Sequence, residues 1–317
     1  MKRIVIMLIV IIGCARTVQA QYDAQFSQYF NAMGYYNPAV AGLSGNLDVT
    51  ALYRLQWVGF GESSPKTLFA TANMPFRFLN REHGVGVVMV KDDISTVRSN
   101  MFTGLQYAFL KKMGAGTLRI GLQGGLVNMT VRGDKVLLPV DSLGNPGAPD
   151  EAIPTSTMDV KTIDFSVGVY YATDKWYLGM ASTHLLEPQI EEENLRTFIE
   201  REYNFTAGYN IKTNNPLLEL QPSVFVKTNL NMYQVDVTAR AVFAKRFSGG
   251  FSWRMNDAVV VLLGATVGKI QAGYAYDFPT TAIRRGSMGS HELFLKYRLQ
   301  LNKPKTTLGK YKSVRFL

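Results

Sequence analysis

The sequence predicts an all-β fold, a transmembrane outer-membrane β-barrel of about 14 antiparallel strands. Three observations predict it: alternation of apolar and polar residues, segments of bilayer-spanning length, and connections that sort by parity into short and long.

The alternation starts at Leu47. In residues 47–57, Leu47, Val49, Ala51, Tyr53, Leu55 and Trp57 share one face, while Asp48, Thr50, Arg54 and Gln56 share the other. Successive strand side chains point to opposite faces, so this pattern marks a strand with one apolar side. It recurs at 101–109, 118–126, 163–171, 203–211, 233–243, 270–278 and 293–301. Weaker segments fill the gaps: 66–74, 84–91, 175–183, 217–227, 247–254 and 258–266. Residues 84–91 fit either phase. Pro222 stands mid-segment on the apolar side, where a missing N–H predicts a bulge.

Most segments match the roughly 9–11 residues of a tilted spanning strand rather than the about 5–6 of soluble sheets. The apolar faces of the strong segments carry no charge. Tyr53, Trp57, Tyr107, Phe109, Trp253, Tyr274, Tyr276 and Phe278 cluster near segment ends, where interfacial girdles lie. With both chain ends periplasmic, the connections after even-numbered strands are 75–82, 111–116, 173–174, 212–216, 245–246 and 267–269, all short. The long ones, 129–162, 184–200 and 279–290, all follow odd-numbered strands and so fall on the outer side.

Composition excludes other classes. The 317 residues are 47% hydrophobic and include 18 Phe, 16 Tyr and 3 Trp, too aromatic for a disordered chain. The longest strongly apolar run, residues 4–13, is too short for a spanning helix of about 20 residues. It follows Lys2 and Arg3 and precedes Val18-Gln19-Ala20, so residues 1–20 are expected to be a signal peptide cut before Gln21. Cys14, the single cysteine, gives residues 11–14 a second reading as a lipoprotein cleavage box. The expected organisation is residues 21–46 as an N-terminal periplasmic or plug segment, 47–302 as the barrel, and 303–317 as a basic periplasmic tail. Much of the +10 formal charge sits in the signal and in Lys303, Lys305, Lys310, Lys312 and Arg315 of the tail, leaving the body near neutral. A nucleic-acid partner does not suit an exported chain; an acidic partner or lipid headgroups do.

Chemistry-bearing motifs are sparse. His83, His184 and His291 have no metal-ligand spacing, and no G-x-S-x-G element occurs. The expectation is therefore no enzyme, no metal and no cofactor; a barrel hydrolase would have to use His184 or His291. The inward faces carry Arg54, Arg119, Lys227, Arg240, Arg254, Lys296 and Arg298 against Asp48, Asp164, Glu202, Glu219, Asp236 and Asp277. Such balance suits a salt-bridged interior that stiffens or closes the barrel; the alternative is a polar channel, a passive porin.

Three motifs precede or overlap the first strand. They are Asp23-Ala24-Gln25-Phe26-Ser27-Gln28, Asn37-Pro38-Ala39-Val40-Ala41-Gly42, and Tyr53-Arg54-Leu55-Gln56-Trp57. In order and spacing they resemble the PorP/SprF family of type IX secretion system outer-membrane proteins of Bacteroidetes, with Ala24 in place of a common proline. The resemblance implies a role in protein secretion or gliding motility. It also implies partners among the periplasmic ring proteins, a peptidoglycan-binding lipoprotein or a cognate secreted adhesin.

Two sets of residues become candidates. Arg77, Arg81, Lys111, Lys112, Lys212, Lys245, Arg246 and Lys269 fall on the expected periplasmic side with the tail, a basic face for an acidic partner. In the third motif, Tyr53 and Trp57 face lipid as strand anchors, whereas Arg54 and Gln56 face inward, in a structural role or pinning residues 21–46 as a plug.

Overall fold

The computed structural model describes residues 23–136, 156–192 and 195–301. The strands are β1 (Leu47–Leu55), β2 (Lys66–Phe78), β3 (Arg81–Asp93), β4 (Arg98–Met113), β5 (Gly116–Arg132), β6 (Thr157–Ala172), β7 (Trp176–Thr183), β8 (Gln189–Glu192), β9 (Leu195–Phe198), β10 (Glu202–Tyr209), β11 (Ile211–Lys212), β12 (Leu218–Thr228), β13 (Tyr233–Phe243), β14 (Phe247–Arg254), β15 (Ala258–Val267), β16 (Ile270–Pro279) and β17 (Ser290–Leu299). Neighbours pair antiparallel in chain order. β1 pairs with β17, and β10 pairs with both β7 and β12, which closes the sheet. β10 and β11 lie on one line along β12, so the barrel wall has 14 strands. β8 and β9 form a separate hairpin in the connection between β7 and β10.

The connections sort as expected. Two- to five-residue turns join β2–β3, β4–β5, β6–β7, β11–β12, β13–β14 and β15–β16 at one end. The long connections, after β5, β7 and β16, all leave the other end. In bacterial outer-membrane barrels the short turns are periplasmic and the longer loops extracellular, which orients the molecule. Leu105, Leu122, Leu126, Phe251, Leu263 and Leu293 stand exposed on the outer wall, an apolar band that suits lipid and not water.

Three local expectations change. Pro222 causes no bulge: the β10–β12 register is the same before and after it, and the ladder lapses where Pro222 has no N–H to give. β1 ends at Leu55, so Trp57 is not on the strand. It takes φ 50° in a turn and its backbone N–H donates to Ser290 Oγ (3.1 Å). The third change is larger. β4, β5 and β6 extend to 16 or 17 residues. Towards the long-loop end the pattern of β5 and β6 inverts. Val127, Met129 and Val131 turn inward and are buried, while Asn128, Thr130, Asp159 and Lys161 take the outer face. Above the lipid the outer face meets water and the inside becomes a protein core. In β3 the same division sets Val88 and Val90 inward and Val87 outward, which explains the ambiguous phase of that segment.

Candidate functional site: a plug and its seat in the barrel wall

Residues 23–46 lie inside the barrel. From Ala24 to Gln28 and from Tyr35 to Gly42 every residue is buried. The segment contains a single helical turn (Met33–Tyr36) and a 3-10 turn (Pro38–Val40). It enters near the long-loop end and descends to the short-turn end, where the chain reverses into β1.

At the outer level the plug is held by charge. Ser27 Oγ donates to Asp277 (2.7 Å), and the Ser27 and Gln28 amides donate to the two oxygens of Glu292 (2.7 Å each). Arg54 completes the knot, donating to Ser27 Oγ (2.6 Å), Asp277 (2.7 Å) and Glu292 (3.3 Å). Arg254 reaches Asp236 (2.8 Å), Asp277 (3.0 Å) and Ser27 Oγ (3.1 Å). Since Arg54 is on β1, Asp277 on β16 and Glu292 on β17, the knot bridges the seam where first and last strands meet. All are nearly without solvent contact, and buried charge of this kind is tolerable only when paired and hydrogen-bonded.

Asp23 forms a second polar contact. His184 lies between Asp164 (Nδ1 at 2.7 Å) and Asp23 (Nε2 at 3.5 Å), and Lys227 Nζ donates to the Asp23 carbonyl (3.2 Å). Burial alone would lower the His184 pKa. The hydrogen bonds to Asp164 and Asp23 outweigh it and hold it up at about 10. Asp23, although burial pushes it upward, is held well below the usual carboxylate range by His184 and Lys227. His184 is thus a cation with both nitrogens engaged.

The middle level is aromatic. Phe26 packs on Tyr35 (5.6 Å), Tyr36 (6.1 Å) and Phe69 of β2 (5.5 Å). Tyr29 stacks on Phe225 of β12 (5.1 Å), and the Arg240 guanidinium sits 3.9 Å from the Phe30 centroid. Leu52, Phe69, Phe102, Phe225 and Phe294 all point inward into this cluster. The interior is therefore not the uniformly polar lumen that the inward charges imply: it is a core built around the plug.

The inner level is steric. Asn37 caps the 3-10 turn, accepting from the Ala39 amide (2.9 Å), and its Nδ2 donates to the carbonyls of Val169 (3.1 Å) and Met180 (3.3 Å). Arg119 donates to the Ala39 carbonyl (2.8 Å) and the Ala41 carbonyl. A Cβ on Gly121 would stand 2.1 Å from the Ala39 nitrogen, and one on Gly84 1.9 Å from the Ala41 oxygen. Only glycine lets the plug backbone come so close to the wall.

The three motifs thus converge: Asp23-to-Gln28 and Arg54 build the outer seat, and Asn37-to-Gly42 the inner one. Part of the inward charge pairs as a salt-bridged interior would, with Lys227–Glu202 (3.6 Å) and Arg298–Asp48 (2.8 Å) besides those above, whereas Arg119 holds backbone carbonyls and Arg240 and Lys296 lie over Phe30 and Phe294. Glu292 is a further inward charge, outside the set named in the sequence reading; period two counted back from Lys296 reaches it. Gln56 is buried and Tyr53 faces outward. His184 and His291 are not brought together, for His291 lies on the outer face and shares a hydrogen bond with Tyr274 OH (2.6 Å). His83 pairs likewise with Tyr107 OH (2.7 Å). Among the described residues no group of three or more His, Cys, Asp and Glu could hold a metal ion.

The short-turn end carries the basic candidates. Lys111, Lys112, Lys245 and Arg246 are exposed there, and among the described residues they form no ion pair. Arg77 is 3.7 Å from Glu82. Lys303, Lys305, Lys310, Lys312 and Arg315 lie outside the described residues, as do the expected signal peptide and Cys14.

The family model described as "Type IX secretion system membrane protein PorP/SprF" matches residues 18–297. The chain belongs to the PorP/SprF family. No protein of curated function matches it. Among solved structures, this PorP/SprF barrel is similar to the Pseudomonas putida toluene transporter TodX, at 9% identity and TM-score 0.51 over 88% of this chain and 95% of that one. It is also similar to the Acinetobacter baumannii outer membrane protein Omp33, at 8% identity and TM-score 0.49 over 80% and 98% of the chains. At such identities the likeness concerns the barrel fold alone. The PorP/SprF chain is an outer-membrane barrel of the type IX secretion system.

Proposed function

We propose that this PorP/SprF barrel is a sealed, non-catalytic scaffold of the secretion machinery, whose basic periplasmic face docks an acidic component of the system. The observation that carries this reading is the plug. Its charged, aromatic and backbone contacts cross the lumen from the long-loop end to the short-turn end, and one void against Tyr29, Met33 and Phe225 measures about 10 Å³, at the threshold for one water. A sealed barrel has its two rims left for work. The periplasmic rim presents Lys111, Lys112, Lys245 and Arg246, with Arg77, Arg81, Lys212 and Lys269 around them. Such a rim would steer an acidic ring protein or peptidoglycan-linked lipoprotein by long-range attraction, screened beyond about 8 Å at physiological salt.

His184 supports the absence of catalysis: an imidazolium clamped by two carboxylates offers no free base.

Two measurements test the proposal. In planar bilayers the purified barrel is expected to show no steady conductance; stable channels would favour a porin. Reversal of Lys111, Lys112, Lys245 and Arg246 to Glu is expected to abolish co-purification of periplasmic secretion components while leaving outer-membrane assembly intact. Unchanged co-purification would remove the docking face.

A further inference from the structure

The outer wall carries a depression of about 650 Å³ across β1, β2 and β15–β17. Small side chains, Ala51, Ala265 and Ala272, set its floor, and Tyr53, Leu263 and Tyr274 set its walls. The size is that of a small-molecule pocket, roughly 300–1,000 Å³. An apolar groove on a lipid-facing wall is open to any acyl chain, so the groove alone says little about its occupant.

The lip says more. Lys66 is exposed on the outward face of β2, two residues beyond the groove residue Leu68 toward the long-loop end. The connection 280–289 is tied down over the same end. Tyr276, on the outward face of β16, donates from its OH to the Met288 carbonyl. Met288 and Gly289 exchange backbone hydrogen bonds with Val58 (2.6 and 2.8 Å). That connection carries Arg284 and Arg285, both exposed. Among the described residues Lys66, Arg284 and Arg285 have no ionic partner. Three exposed cations therefore lie on the elements that border the outer-leaflet end of an acyl-sized groove.

We propose that this groove and lip seat a phosphorylated saccharolipid of the outer leaflet, of the lipid A type. One acyl chain lies against Ala51, Ala265 and Ala272, and a phosphate is held by Lys66, Arg284 and Arg285. Guanidinium groups match phosphate with charge-assisted, often bidentate hydrogen bonds. Chain and phosphate are both needed, because one acyl chain by itself binds marginally. A two-fold contact with a second copy through this face would bring like-charged lips toward each other. The seat uses no plug contact, so its test is separate from that of the sealed scaffold.

The test uses the purified full-length protein in detergent, with native mass spectrometry and three probes: diphosphorylated lipid A, its dephosphorylated form, and phosphatidylglycerol. Lipid A is expected to be retained and the other two to be lost. Combined Lys66→Glu, Arg284→Glu and Arg285→Glu should weaken retention by about tenfold or more, the scale of one lost charge-assisted hydrogen bond. Ala272→Leu should displace the lipid by filling the groove, with heat-modifiable mobility checking that the barrel is folded. Equal retention of phosphatidylglycerol, indifference to charge reversal, or a dimer abolished by Ala272→Leu would overturn the proposal.

Discussion

The outer and inner seats of the plug hold the same segment by different physics. At the outer seat Ser27, Arg54, Arg254, Asp277 and Glu292 form a buried ionic knot. At the inner seat the contacts are between backbones, with Gly84 and Gly121 clearing space for Ala41 and Ala39. The first depends on charge, direction and protonation. The second depends on volume. The outer seat also spans the β1–β17 seam, so the same residues join the first and last strands and hold the plug there; at the inner seat the plug is fitted against strands that follow one another in the chain.

This contrast can be broken or sharpened by substitution. The largest effect is expected from Arg54→Met, which leaves Asp277 and Glu292 buried without one of their cations and should cost about 3–5 kcal/mol. The temperature of the heat-modifiable gel shift measures it, and an unchanged temperature would show that the knot is dispensable. Next comes Gly121→Val, which overpacks the inner seat by roughly 1–3 kcal/mol or more, since the obstructing atoms are backbone. It should expose residues 23–46 to protease while the wall stays intact, at any salt concentration. Asn37→Ala removes one cap and two wall contacts and should cost about 1–2 kcal/mol by the same assay.

A pH-dependent effect separates the seats cleanly. His184 has a raised pKa when the plug is seated, about 10 against an ordinary 6.5. Its contribution is complete below pH 6.5 and is lost as the pH rises through about 10. The lowered Asp23 contributes above its ordinary 3.8 and loses that contribution in acid below it. Plug retention should therefore be greatest between those limits and weaken on the alkaline side. His184→Gln should flatten the alkaline slope, and Gly121→Val should leave it unchanged. A slope that persists in His184→Gln would assign it to another group.

Much of this is legible in the sequence. Period-two alternation names the outward residues of nearly every wall strand because lipid accepts only apolar side chains, a rule that acts on each residue separately. The parity of long and short connections follows for a similar reason, since each strand must cross the whole bilayer. What stayed hidden is where the alternation fails. Leu52, Phe69, Phe102, Phe225 and Phe294 break the polar face of their strands, and Val127, Met129 and Val131 reverse it. Those exceptions make sense only with a plug in place, because a residue facing water and a residue facing a buried tyrosine occupy the same phase of the strand.

The sequence by itself determined the barrel, its strand count, its orientation and the presence of balanced inward charge, since each depends on local pattern and chain length. Only the tertiary structure decided that Ser27 meets Glu292 across 265 residues of sequence, that Ala39 lies against Gly121, and that an aromatic cluster packs around the N-terminal segment inside the barrel. Those contacts arise from closing the sheet on its own N-terminal segment, and closure brings together residues that no local period relates.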